Sequence, residues 1–376
     1  MDKLLVQGKG TSMREPLNCL LVDSFYIEWQ MNSTYQIQFT AYDDHSLAYS
    51  MLDSESMLFW QGQEFIIKQC IPDYSKGVSS KQIVATHIMY ECMRVYQYNS
   101  NSNTQSYSVN DVLNYYFNGN NLGFTWQVIG NFSNALIQGL GNGSGKDCLS
   151  KITSAWSNAV IFPDNQCIKV YSTDEFEKDL GNRIDYLHDS EEVKLTYDST
   201  TITNYTKCIS STYSVNNKDV KYFDDFIVQN DDSINKWGIH PMAAVSNDNL
   251  HDANSAKQYA LSQMQPEPAL SIEVTSMTNN QLVPQPVAGE LKHLFVKQAN
   301  LATTVAVVGY QWYPLSYSQS TTITLNNTAK TIFDYQAAHQ NSINNALSEI
   351  KQTNNSLVNN MTTTINAGES VISYDG

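Results

Sequence analysis

The sequence predicts an α+β chain that is mostly β and is divided among several domains. Three observations carry this. With 376 residues and 41% apolar content, the chain can bury more than one core, since a domain takes roughly 100–200 residues. Only 16% of residues are charged, while 23 Tyr and 13 Phe supply aromatic bulk of the kind that strands favour. Most patterned segments alternate polar and apolar residues, and few show helical spacing.

Residues 1–97 read as a first β domain, a small antiparallel barrel-like fold or sandwich. Tyr35-Gln36-Ile37-Gln38-Phe39-Thr40-Ala41 alternates with period two, so one face is core and the other is wet. Leu58-Phe59-Trp60 and Glu64-Phe65-Ile66-Ile67 flank Gln61-Gly62-Gln63, whose Gly can take the positive φ of a tight hairpin turn. Ile83-Val84-Ala85-Thr86-His87-Ile88-Met89 adds a further strand.

Residues 98–190 form an α+β middle domain. An Asn- and Ser-rich run at 98–108 reads as a linker, after which Val109, Val112, Leu113 and Tyr116 share one helical face. A second helix is expected over 147–157. It leads into Val160-Ile161-Phe162, a Pro163-Asp164-Asn165 turn and Ile168-Lys169-Val170-Tyr171. Residues 191–268 make a second middle domain, with extended segments over 198–222 and a helix over 253–264. That helix turns Ala253, Ala256, Tyr259, Ala260 and Met264 inward and stops before Pro266 and Pro268. Strands return in 269–330, a second barrel-like β domain centred on the apolar run 301–312.

Residues 331–376 read as a helical tail. Ile343, Leu347, Ile350, Asn354, Leu357 and Met361 follow spacings of four, three, four, three and four, a short a/d heptad seam with one Asn at an a-type position. Such a seam is an oligomer interface between copies of a chain. The same pattern also suits an amphipathic helix lying on the protein's own core.

The net charge of −15 argues against direct nucleic-acid binding, which depends on Lys and Arg neutralising phosphates. Cys19, Cys70, Cys92, Cys148, Cys167 and Cys208 contain no C-x-x-C pair and read as thiols of a protein assembled in a reducing cytoplasm. The first apolar run is too short for a signal peptide, and no segment approaches the ~18 apolar residues of a membrane span.

No catalytic constellation emerges, so no enzyme activity, cofactor or metal is expected. Gly145-Lys146 invites a phosphate-loop reading, but that loop needs Gly where Leu140 stands and Ser or Thr where Asp147 stands. The glycines at 139–145 read as a flexible connection, with Asp147 near a helix N-terminus. His45, His87, His188, His240, His251, His293 and His339 are scattered, with no His-Glu-x-x-His. Around Ser144, Asn142 and Lys146 occupy the positions where a nucleophile elbow needs glycines. Asp43-Asp44, Glu191-Glu192, Asp224-Asp225 and Asp231-Asp232 would point to opposite faces of a strand and read as solvated turn or edge charges. Asp248, His251 and Asp252 lie close enough in sequence to share a metal, although Asp252 as a helix cap accounts for them with less.

In order and texture the chain resembles the prophage tail endopeptidase family, the tail-associated hub proteins of siphophages of Gram-positive hosts. The resemblance rests on the strands around Tyr35 to Phe39, Trp60-Gln61-Gly62-Gln63-Glu64-Phe65-Ile66-Ile67, Ala85-Thr86-His87, Phe124-Thr125-Trp126, and 143–156 leading into the Val160 to Tyr171 hairpin. It implies a phage baseplate-hub-like fold, in which the first and last β domains of three subunits form a ring and two middle domains complete the tip. It further implies a homotrimer at the virion's tail tip, capping the channel below a hexameric distal tail protein and opening for DNA ejection. Contacts with the tail tube and tape measure protein would follow, and indirect ones with receptor-binding proteins. The resemblance covers roughly 15–330 and only the heptad tail follows. The chain is therefore similar to the short lactococcal hub proteins that lack a lysin. The alternatives are a tail-associated cell-wall hydrolase and a host-saccharide-binding adhesin, the latter from 23 Tyr and six Trp that could stack on sugars.

Overall fold

In a computed structural model, residues 3–75, 78–215, 218–246, 251–276, 282–299 and 301–326 are described. They fall into two compact units, one made of residues up to 197 together with 271–326, the other of residues 198–270.

The first unit begins with β1 (Leu5–Gln7), β2 (Arg14–Pro16), β3 (Tyr26–Gln30), β4 (Thr34–Tyr42), the short helix α1 (Leu47–Met51), β5 (Met57–Trp60), β6 (Gln63–Ser75) and β7 (Val78–His87). These strands lie in the order β3-β4-β7-β6-β5-β1-β2, all antiparallel. The alternation in β4 is realised, since Tyr35, Ile37, Phe39 and Ala41 are buried and the residues between them are not. Between β5 and β6 both turn residues, Gln61 (φ 48°) and Gly62 (φ 78°), are left-handed, which matches the twist of a two-residue hairpin.

The chain continues through β8 (Tyr96–Asn101), β9 (Gln105–Tyr107), α2 (Val109–Phe117), β10 (Thr125–Ile129), β11 (Ala135–Ile137), β12 (Leu140–Ser144), α3 (Gly145–Ala155), β13 (Ala159–Asp164), β14 (Cys167–Ser172) and α4 (Thr173–Phe176). β14 pairs with β10 in parallel and with β13 antiparallel. Two expectations are corrected here. The run 98–108 is not a linker but carries β8 and β9, which pair with β12 and β11. Of the glycines at 139–145, Gly141 and Gly143 lie in β12 and Gly145 opens α3, so the run is not a loose connection. β8 and β9 are polar because they are largely exposed, whereas β12 buries Leu140, Gly141 and Gly143, too few side chains to show an apolar alternation.

α2 and α3 start from the same device. Asp111 accepts the Ser108 N–H at 2.9 Å while Ser108 Oγ accepts the Asp111 N–H at 3.2 Å, and Ser144 with Asp147 repeats this at 2.7 and 3.3 Å. The cap at Ser144 starts α3 two residues before the expected boundary. Val109, Val112, Leu113 and Tyr116 are buried as expected, in one core with Cys148, Ile152, Trp156 and Ile168. A Cβ at Gly145 would run into the Cys92 carbonyl oxygen and the Phe117 ring. The Gly145-Lys146 pair is thus a close-packing feature.

β15 (Lys178–Asp185) and β16 (Ser190–Asp198) follow. The second unit then holds β17 (Tyr205–Ile209), β18 (Thr212–Val215), β19 (Lys218–Lys221), β20 (Phe226–Gln229), α5 (Asp231–Trp237), β21 (Val245–Ser246) and α6 (Ala253–Ser262). β17 takes β20 antiparallel and β21 parallel, and β18 and β19 form a hairpin. Cys208, Val228, Ala256, Ala260 and Met264 make its core, whereas Ala253, expected inward, is exposed in the first turn of α6. Asp252 caps α6 through the N–H groups of Asn254 and Ser255 at 3.0 and 2.9 Å. Asn230 caps α5 through Ser233 at 3.0 Å, which puts Asp231 and Asp232 where the helix dipole favours acids.

β22 (Ala269–Ser276), β23 (Glu290–Val296), β24 (Leu301–Trp312) and β25 (Thr322–Asn326) bring the chain back to the first sheet. β24 joins the regions. On one edge it pairs with β25, and on the other with β23 over 301–306 and with β3 over 309–312. Val305, Ala306 and Val307 are buried in succession, as a strand covered on both faces requires. β22 pairs with β25, β16 with β22, and β15 runs parallel to β23. The first and last β regions are therefore one sheet, and among the described residues its strand path stays open. The chain is mostly β and multidomain.

Candidate functional site

Three segments singled out in the sequence, at 60–67, 85–87 and 160–171, meet where the first β region touches the middle domain. The meeting is between two hairpin turns. Asn165, left-handed at φ 50°, accepts the Glu64 N–H on Oδ1 at 2.9 Å and donates from Nδ2 to the Gly62 carbonyl at 3.0 Å. Its own N–H donates to Gln63 Oε1 at 3.0 Å, and Gln63 Nε2 donates to Asp164 Oδ1 at 3.2 Å. Lys169, 2.7 Å from the Asp164 carboxylate, helps hold that carboxyl below the usual range.

Behind Gln63 stands His87, with no exposed surface. Its Nδ1 accepts the Met89 N–H at 3.2 Å, so the proton sits on Nε2 and is donated to Gln63 Oε1 at 2.9 Å. Tyr35 stacks on the ring at 4.9 Å and Phe65 meets it edge-on at 5.2 Å. Burial holds the pKa of His87 down to about 3, because a cation here would lose its hydration. Nearby, Asn32 in the β3–β4 turn acts as a piece of strand. Its Oδ1 accepts the Ile161 N–H at 2.7 Å and its Nδ2 donates to the Ala159 carbonyl at 2.9 Å, which satisfies part of the edge of β13.

An aromatic cluster adds the last β region to this junction. Trp29, 2% exposed, stacks on Tyr310 at 5.6 Å and meets Phe162 and Phe176 at 6.0 and 6.2 Å. Gly289 (φ 74°) permits the approach of Phe176, whose ring a Cβ there would meet at 2.6 Å. The junction is made of hydrogen bonds and ring contacts. It fixes the middle domain on the sheet by directional bonds and buried rings.

Ile343, Leu347, Ile350, Asn354, Leu357 and Met361, the seam expected to join copies, lie outside the described residues, as does Asp248. Among the described residues no group of three or more His, Cys, Asp or Glu could hold a metal, and no helix is long and apolar enough to cross a membrane. All six cysteines are free thiols.

Sequence reasoning missed one constellation. His293 Nε2 lies 3.1 Å from Asp179 Oδ2, and His293 Nδ1 lies 3.0 Å from Thr304 Oγ1. The three residues come from β15, β23 and β24, so only strand pairing brings them together. With Nε2–H on the carboxylate, Nδ1 receives the Thr304 hydroxyl proton. Bonds of this kind are ordinary between neighbouring strands.

This architecture is that of a phage tail protein. Residues 4–87 match the prophage endopeptidase tail N-terminal domain, 94–170 the prophage endopeptidase tail domain and 178–336 the prophage endopeptidase tail. The chain belongs to the prophage endopeptidase tail family. Its fold is similar to that of prophage tail protein gp18 from Listeria monocytogenes EGD-e, at 24% identity and a TM-score of 0.66 over 89% of this chain and 97% of that one. It is also similar to the tail protein from Neisseria meningitidis MC58, at 11% identity and TM-score 0.57 over 87% and 96%. The 43 kDa tail protein of prophage MuSo2 from Shewanella oneidensis matches at 8% identity and TM-score 0.55, over 86% and 98%. No curated protein matches the chain in sequence. The turn-to-turn junction thus links the first and second family domains, and the β3–β24 pairing links the first and third.

Proposed function

We propose that this tail protein is the hub of a bacteriophage tail tip, a homotrimer that closes the channel beneath a hexameric distal tail protein and opens to release DNA. The observation that carries the reading is the pairing of β24 with β3, which merges the first and last β regions into one platform. A hub needs such a platform to sit on a tube while the middle regions meet at the tip. The net charge of −15 suits a surface past which DNA slides without adhering. In this reading the chain also abuts the tail tube and tape measure protein, and receptor-binding proteins attach indirectly. It is assembled in the host cytoplasm and acts without catalysis.

Light scattering on the purified chain, alone and mixed with the phage's distal tail protein, tests this. A mass near three times the 42.3 kDa of the chain, or a stable complex on mixing, supports the hub. A monomer that ignores that partner overturns it, and cleavage of purified cell walls by the chain overturns the non-catalytic part.

A further inference from the structure

Next to the Trp29 cluster, β4, β13, β14, α4, the start of β15, β24 and the segment 285–288 line a cleft of about 410 Å³, within the size range of small-molecule sites. Five of its lining residues are aromatic: Tyr35, Phe162, Tyr171, Phe176 and Tyr310. Tyr35 and Tyr310 are only 8% and 6% exposed. Burial raises both phenols, Tyr310 to about 12, so both keep their hydroxyl protons. Gln285 Nε2 reaches the Tyr310 hydroxyl at 3.4 Å. The Tyr35 hydroxyl has no hydrogen-bond partner among the described residues. Tyr35 lines the cleft, so its hydroxyl can be met there by water or by a ligand.

We propose that this cleft binds a single hexopyranose unit of a glycan. A pyranose has C–H faces that pack on aromatic rings and a rim of hydroxyls that both donate and accept. The cleft offers the complement of each: rings on its walls, two neutral phenols and an amide inside, and the exposed Glu175 carboxylate and Lys178 ammonium. An apolar side chain from a partner would leave the Tyr35 hydroxyl unmet, and a phosphate would face Glu175 with one lysine to balance it. The inference does not depend on the oligomeric state.

Saturation-transfer NMR on the full chain with the methyl glycosides of glucose, galactose, rhamnose and N-acetylglucosamine tests it. At least one glycoside binds saturably. Tyr35→Phe, which removes only the hydroxyl and leaves the far-ultraviolet circular dichroism and the thermal unfolding cooperative and parent-like, weakens it by about fivefold, the value of one hydrogen bond. Tyr171→Ala weakens it further by removing a wall. The proposal is overturned if no glycoside binds, if affinity is unchanged in both variants, or if benzene saturates the site and the glycosides do not.

Discussion

Acid should loosen the junction through His87, and the size of the effect can be worked out. The ring is neutral when folded, with a pKa of about 3, and returns to about 6.5 when the chain unfolds. A lowered folded pKa means that the unfolded chain binds the extra proton between those values. Stability from this group is therefore whole above about pH 6.5 and falls as the solution is acidified toward about pH 3. The slope is about 1.4 kcal/mol per pH unit, which gives about 2 kcal/mol lost between about pH 6.5 and pH 5. That is a large share of the ~5–15 kcal/mol by which domains are stable. Urea unfolding followed by tryptophan fluorescence at several pH values, on the parent and on His87→Gln, isolates the term. Gln places an amide N–H near the Nε2 position but does not titrate. The variant is weaker at neutral pH, having lost the Tyr35 stack, yet its stability falls less steeply on acidification. Parallel pH slopes for the two proteins would refute the assignment of a buried neutral imidazole.

Further outcomes follow from named contacts. Asn165→Ala removes both side-chain links between the turns and leaves Ala at φ 50°, a cost of about 3 kcal/mol; hydrogen exchange at the Glu64 amide should accelerate while exchange in the second unit does not. Ser144→Ala costs about 1 kcal/mol in thermal unfolding, and Ser144→Gly only a few tenths. Ser144 holds the Asp147 carboxyl below its usual range, so the cap's contribution is present above about pH 4 and is lost as pH falls through the lowered value. Gly145→Ala overpacks the contact with Cys92 and Phe117 at about 1–3 kcal/mol, whereas Lys146→Ala, exposed, changes stability by less than about 0.5 kcal/mol; equal effects would revive a role for the Gly-Lys pair.

What the sequence determined by itself is local. Period two marked β4, helical spacing marked α2 and α6, and Gln61-Gly62 marked the hairpin, because strand pleat, helix pitch and turn conformation are properties of a few adjacent residues. The Ser144 cap was already written as Ser-x-x-Asp, yet the surrounding glycines drew attention to a loop. β8 was illegible because an exposed, polar strand carries no alternation, and β12 because two of its three buried residues are glycines. Only tertiary structure decided which strands pair: β24 with β3, nearly the whole chain apart, and β10 with β14 in parallel. It also decided that Asn32, Gln63, His87 and Asn165 work together, and that Tyr35, a plain core residue by its spacing, turns a hydroxyl with no described partner toward a cleft. Such roles depend on what burial brings within about 3 Å of a polar atom, and no pattern of neighbours along the chain records that.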